Sequence, residues 1–477
     1  MCLSGGGPLV SKPYDETDPS SIETYAKRLV GRTLKTTKGT RDVPIRYLDE
    51  SPGVRTKGVF GTLVERHYFG ITPGNMPCSP DFKRAGVELK TTALERRKKG
   101  LTAKERLVLQ MINYSEIVNE TYESSCFMKK SQLMLLISNE YQNDRPIVDS
   151  EILMARLINL AELPPADRHI IREDWQIIAE KVCQGLAHEL SGSDTTYLEA
   201  CTKGMDGSRL VKQPNSQILA KPRAFAFKSG YVTSLVREWL NDVESLAITD
   251  DTEVAGRGFE RTIIERFSPF IGRTADEIES ILGTELNPAA KGYRATLARR
   301  VMGVSAKNVE EFDRSGISMK TILIDEQGRP PESMSFPVFR YMGPGSVLEE
   351  DWESDEDDEI PRIKRILEDT RFLFVVFQRS SGRIRLKEVK FWSMTSADIE
   401  TYVKPVWEAT RKSIELGKLP DLPKGSFNGV CHVRPHAANK KDTFPSPLNG
   451  EQVKKCFWLD RRYIQRQVSG SEQLPLT

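Results

Sequence analysis

No apolar run in this 477-residue chain approaches the roughly 20 residues that a helix needs to cross a bilayer, so no membrane partner is expected. The opening residues, Met1-Cys2-Leu3-Ser4-Gly5-Gly6-Gly7-Pro8, lack a basic stretch followed by an apolar core. That argues against a secretory leader and makes the cytoplasm the expected location. The seven cysteines include no Cys-x-x-Cys, which removes the usual zinc-ribbon spacing, and in a cytoplasmic setting they read as reduced thiols. Charge of a dominant sign is also missing: 69 Lys and Arg face 67 Asp and Glu, a net of +2. The total therefore argues neither for nor against nucleic acid, and the placement of the charges has to decide. What is present, 38% hydrophobic and 29% charged residues over 477 positions, fits a globular protein of two or three domains.

The chain is organised around Pro80-Asp81-Phe82-Lys83-Arg84-Ala85-Gly86-Val87-Glu88-Leu89-Lys90. It reads as a turn bearing an acid, a glycine that lets the backbone change direction, and a strand. Residues two apart on a strand share a face, so Glu88 and Lys90 project together while Val87 and Leu89 enter the core. Asp81, returned by the turn, joins Glu88 as an oxygen donor for a hard divalent cation such as Mg²⁺. Lys90 then stands where it can hold an attacking water. These are the needs of phosphodiester hydrolysis: neutralised phosphoryl oxygens and a placed nucleophile. Taken alone, Glu-x-Lys also describes an ordinary solvated strand edge.

Upstream, the helix-like run from Lys57-Gly58 through Glu65 to Gly70 adds a third carboxylate. The set Lys57-Gly58, Glu65, Asp81-Phe82 and Gly86-Val87-Glu88-Leu89-Lys90 resembles the active-site signature of the MutH family, the repair nicking endonucleases and Sau-type restriction enzymes that act at GATC. The resemblance implies an α/β restriction-endonuclease-like fold, a central mixed sheet flanked by helices. It further implies a Mg²⁺ site at Glu65, Asp81 and Glu88, catalysis by these residues with Lys90, and DNA contacts from Lys57 and from Lys129, which matches a family lysine near the scissile phosphate. A Glu-Asp-Trp helix at Glu173-Asp174-Trp175 also resembles the family.

Along the rest of the chain, Ser21 to Val30 reads as a capped amphipathic helix, and Arg96 to Arg106 is a basic run suited to phosphate contacts. Arg106 to Tyr114 and Ser131 to Ile137 are apolar enough for central strands, and helices are expected around Ile152 to Leu163 and Glu173 to Leu190. Tyr197 to Gly204 reads as a loop corresponding to the family's groove-entering segment, with Lys203 matching its lysine and Cys201 replacing its arginine. Ala226 stands where the family's nickase carries a tyrosine near the adenine amino group, which implies room for an N6-methyl group.

The second half replays the first about 200 to 230 residues later, in the manner of a tandem duplication. Arg257 to Phe267 echoes Lys57 to Glu65, and Glu311 to Thr321 echoes Asp81 to Thr91 with Ser318 in place of Glu88. Val406-Trp407-Glu408-Ala409 echoes the Trp175 helix. Val433-Arg434-Pro435-His436 echoes the reading loop, and Cys456 to Leu459 echoes the Phe225 segment. The expected organisation is a catalytic domain over 1–242, a linker over 243–254 and a degenerate, allosteric DNA-binding domain over 255–477 that uses Arg434 and His436. An acidic insertion, Glu349 to Glu359, reads as a solvated loop, or as a mimic of DNA phosphate. The expected activity is Mg²⁺-dependent type II cleavage of double-stranded DNA, with two sites per active complex, oligomerisation on DNA and no obligatory protein partner. A strand-nicking repair endonuclease and a non-cutting DNA-binding regulator remain as alternatives.

Overall fold

Asp18 starts the first helix of the computed structural model, α1 (Pro19–Lys27): its carboxylate accepts from the Ser20 and Ser21 amides, and Pro19 occupies the first turn, where its missing N–H costs nothing. The cap is thus Asp18 and not Ser21. The structure describes residues 12–37, 58–71, 78–97, 100–142, 145–203, 209–240, 259–304, 310–354 and 359–469. They pack as two units, one from Met1–Arg168 and Ala224–Glu244, the other from His169–Arg223 and Ser245–Thr477. Residues 243–254, the expected linker, lie outside the described ones.

The first unit is built on a mixed four-stranded sheet in the order β2 (Gly100–Ala103), β1 (Glu88–Arg97), β4 (Leu133–Glu140), β5 (Ile152–Asn159). β1 and β4 run parallel, with Glu88 opposite Met134 and Lys90 opposite Leu136, and β2 and β5 are antiparallel to their neighbours. β4 is buried at six consecutive positions, as a strand covered on both faces requires. Its core joins α1, α2 (Val59–Leu63) and the turn after it through Ile22, Tyr25, Phe60, Leu63, Val64 and Phe69.

Several expected elements differ. Ile152–Asn159 is a strand and not a helix: short apolar runs fit either period, and the antiparallel register with β4 decides it. The Arg106 to Tyr114 segment supplies β3 (Leu107–Met111), which lies outside the central sheet and pairs with β7 (Arg223–Phe227). The basic run is a β1–β2 hairpin whose described cations already hold partners, Arg96 with Glu140, Arg97 with Glu95 and Lys104 with Glu105. Cys78 and Cys126 are joined in a disulfide across 48 residues, correcting the reading of all cysteines as thiols; the pairing is made by tertiary contact and leaves no mark in local spacing.

In the second unit, β8 (Ile317–Ile324) runs parallel to β10 (Arg371–Ser380), which pairs antiparallel with β11 (Arg383–Trp392). This repeats the relation of β1, β4 and β5. β9 (Met334–Phe339) pairs antiparallel with β15 (Lys455–Leu459), as β3 does with β7. β12 (Cys431–Pro435) also pairs with β15, and β13 (Thr443–Ser446) and β14 (Gly450–Val453) form a hairpin between them. Trp175 and Trp407 are both buried on helices, Pro165–Cys183 and Lys404–Glu415. The acidic insertion is not simply solvated: Trp352 is in the core, and buried Glu350 accepts from the Arg362 amide and the Trp407 indole. Residues 355–358 of that insertion lie outside the described ones.

Candidate active site

The turn before β1 is closed by backbone bonds. Phe82 and Val87 form an antiparallel bridge, and the Ala85 and Gly86 amides donate to the Phe82 carbonyl. Gly86 takes φ +70°, a left-handed conformation open to a residue without a Cβ. The fold-back lets Asp81 Oδ2 accept from the Leu89 amide at 2.9 Å, which pins that carboxylate against the start of β1. Asp81 therefore stands beside Glu88 although seven residues separate them.

Glu88 is buried, only 2% exposed. Its Oε1 faces Lys90 Nζ at 2.9 Å and Lys130 Nζ at 3.4 Å, while its Oε2 is buried without a hydrogen-bond partner. Burial pushes the Glu88 carboxyl above its ordinary pKa; Lys90 pulls it back and Asp81 pushes it further up. Glu65 is raised by burial first and then by the charges of Asp81 and Glu88, with Lys90 opposing. Three carboxylates thus share one field, and the buried orphan oxygen has no donor of its own. A hard cation answers both conditions, so the residues fit Mg²⁺ in kind. Among the described residues, no three His, Cys, Asp or Glu groups converge on one point at liganding distance. Glu88 instead turns its Oε1 to the two lysines. The carboxylates are within reach of one another's charge without being closed into a shell.

Glu65, Asp81, Glu88 and Lys90 are the expected residues that the structure brings together. Lys129 is not among them: it is exposed on the helix Cys126–Ser131, and the next residue, Lys130, reaches Glu88. Spacing to β4 could not separate adjacent lysines, since which one faces the sheet depends on the helix phase. Lys57 lies outside the described residues. Lys203 directly follows β6 (Leu198–Thr202), a buried strand where a loop was expected, and its amide donates to the Pro222 carbonyl. Cys201 is buried in that strand. Ala226 is wholly buried in β7. Arg434 and His436 are exposed at the end of β12 and just beyond it; the Arg434 guanidinium lies over the Trp458 ring at 4.7 Å, and the His436 ring meets that ring edge-on at 5.3 Å.

The family model of the DNA mismatch repair enzyme MutH matches residues 69–174, a span that holds Asp81, Glu88, Lys90 and Lys130. Over an alignment of 495 positions, the chain is 31% identical to the type II restriction enzyme Sau3AI of Staphylococcus aureus, covering 94% of this chain and 98% of that one. The chain belongs to the MutH and Sau3AI family of endonucleases. Single MutH proteins of the family align with a smaller part: that of Shewanella amazonensis is 27% identical over 39% of this chain and 80% of its own length, and that of Shewanella woodyi is 30% identical over 38% and 77%. No helix among the described residues is long and apolar enough to cross a membrane.

The second unit offers a contrast at the matching positions. Gly316 repeats the left-handed glycine at φ +66°, and Lys320 repeats Lys90 in register with β10. Ser318 stands where Glu88 would be, and Lys320 is pushed below its ordinary pKa by burial, the sole cause. Glu265, at the place of Glu65, accepts from Arg261 Nε at 2.8 Å. A helix, Glu310–Ser315, replaces the turn that delivers Asp81.

Proposed function

We propose that this family member is a divalent-metal-dependent type II endonuclease that cuts double-stranded DNA at a short site, with GATC as the site its resemblance implies. The observation that carries the reading is that Glu65, Asp81 and Glu88 lie within reach of one another's charge, with a buried, unpartnered oxygen on Glu88 and two lysines alongside. Glu65, Asp81 and Glu88 would hold Mg²⁺, which when bound supplies positive charge to the phosphoryl oxygens. Asp81 is held at the start of β1 by the Leu89 amide, which donates to its Oδ2. Lys90 Nζ, steadied by Glu88, holds a water at the reacting phosphate and favours its deprotonated form. Lys130 Nζ, on the same oxygen of Glu88, is set to meet phosphate charge as it develops. Lys57, Lys129 and Lys203 serve DNA binding.

The tandem reading, with a catalytic domain over 1–242, a linker over 243–254 and a second domain over 255–477, is supported by the repeated parallel-then-antiparallel strand order and by MutH proteins aligning with about two-fifths of the chain. The second copy lacks the carboxylate at Ser318, so it binds without cutting, with Arg434 and His436 as its DNA contacts. Its effect is then allosteric: two sites are engaged per active complex, and no separate protein partner is needed. Incubating the protein with plasmid and Mg²⁺ and sequencing the ends tests the whole reading. Site-specific double-strand ends support it, nicks alone would favour a repair nickase, and intact plasmid would favour a regulator.

A further inference from the structure

Glu65 is the second residue of a π-helical turn, Val64–Tyr68, that follows α2. The Phe69 amide reaches back five residues to the Val64 carbonyl at 3.1 Å, and the Ile71 amide donates to the Glu65 carbonyl at 2.9 Å. Such turns are less favourable than α-helix and persist where their surroundings hold them. Here five aromatic rings do so. Tyr68 stacks on Tyr25 with centroids 4.4 Å apart, and its hydroxyl donates to the Tyr25 carbonyl at 2.6 Å. The Tyr14 hydroxyl donates to the Phe69 carbonyl at 2.7 Å. Phe69 in turn packs edge-on against Phe82 at 5.2 Å, and Phe82 is the residue after Asp81. Tyr14 touches Phe82 as well, at 6.0 Å. One cluster therefore grips the backbone on both sides of the site, just after Glu65 and just after Asp81. Burial raises the Tyr14 and Tyr68 phenols well above their ordinary range, so both remain donors at any working pH.

We propose that Tyr14 and Tyr68 are positioning residues, whose hydroxyls lock the π-helical turn so that Glu65 stays on the same side of the site as Asp81, where one divalent cation can draw both carboxylates in. This rests on the assignment of Glu65 and Asp81 as cation ligands. Neither tyrosine touches DNA or the cation in this scheme; each acts through the backbone that carries Glu65. Removing a hydroxyl keeps the ring and the core, and the Tyr25 carbonyl retains the Arg28 amide at 3.2 Å. The loss falls on the placement of the turn and not on the fold.

Mn²⁺ binding to the full-length protein without DNA, followed by the electron paramagnetic resonance signal of free Mn²⁺, tests this apart from turnover. The Tyr14→Phe/Tyr68→Phe pair is expected to weaken Mn²⁺ binding by roughly 10–100-fold, as loss of groups that orient metal ligands does. The Mg²⁺ concentration for half-maximal cleavage should rise by the same factor, with kcat recovered at saturating metal and KM for DNA unchanged. In a Glu65→Gln background the tyrosine changes should shift Mn²⁺ affinity no further. Parental Mn²⁺ affinity in the tyrosine pair, or an equal loss with and without Glu65, overturns the proposal. Parental affinity in Glu65→Gln alone overturns instead the assignment of Glu65 as a ligand. Should the pair fail to fold by circular dichroism, Tyr68→Phe alone carries the same comparison.

Discussion

Asp174 offers the sharpest stability test, because one buried carboxylate organises a whole backbone segment. It is 1% exposed, and its two oxygens accept from the Thr196, Tyr197 and Leu198 amides at 2.7, 2.6 and 2.8 Å. These amides lead into β6, whose far end carries Lys203. Hydrogen bonds to a charged acceptor contribute about 1.5–3 kcal/mol each, and amides left buried without an acceptor cost about 1–3 kcal/mol. Asp174→Ala orphans all three at once, and with partial relaxation the expected loss is about 3–5 kcal/mol, the range for breaking a buried charged network. Asp174→Asn keeps one carbonyl oxygen but turns an amide donor toward a donor, so about half that loss is expected. For a domain of this size each kcal/mol moves the melting temperature by about 2–4 °C, which places the alanine variant roughly 6–20 °C below the parent. Differential scanning calorimetry of the full chain reads this directly. A melt of Asp174→Ala indistinguishable from the parent, or a larger drop for asparagine than for alanine, would refute the reasoning.

Three further outcomes are expected. Lys130→Ala should reduce cleavage by about 100-fold or more, the usual cost of removing one charge stabiliser from an active site, while Lys129→Ala should leave the cleavage rate nearly intact; the reverse order would return the site to the residue first expected. Glu88→Gln should abolish cleavage with specific DNA binding kept, and should melt at or above the parent at neutral pH. Its folded pKa is raised above the unfolded value, so ionisation costs stability as pH rises from about 4.5 through the folded pKa, and none of that cost is present below it; a variant that melts well below the parent at pH 8 but matches it at pH 4 has the wrong sign. Arg434→Ala should erase any advantage of two-site over one-site plasmid, a coupling of about 1–3 kcal/mol where it exists; equal rates on both plasmids for the parent would remove the effector role.

The catalytic strand was legible in the sequence because its pattern is local. Alternation placed Glu88 and Lys90 on one face, Gly86 marked the reversal, and the structure adds the Leu89 amide that fixes Asp81. The Glu-Asp-Trp helix was visible only as a likeness, and its physical reason, three amides on one carboxylate, depends on contacts some 22 to 24 residues away. Errors concentrate where the same residues satisfy two periods or where a choice is made in three dimensions. Ile152 to Asn159 fits either helix or strand until β4 is beside it. Lys129 and Lys130 are equivalent until the phase of their helix is known. Cys78 and Cys126 meet only once the sheet is built, and the acidic insertion hides Glu350 and Trp352 behind a composition that reads as solvent-facing.

The parallel pairing of β1 with β4 has a consequence for when the enzyme becomes dangerous to DNA. Parallel neighbours start at the same end of the sheet, so the beginning of β1, at Glu88, is joined by Lys130 only after the intervening chain has closed back on itself. Loops of that length close slowly compared with local structure, and nothing local rewards them before the strands are in register. A growing chain released as far as Lys90 holds the acids and the first lysine but not the second, and lacks the strand that buries Glu88. With Glu88 and Lys130 in their proposed roles, cutting has to wait for completion of the sheet.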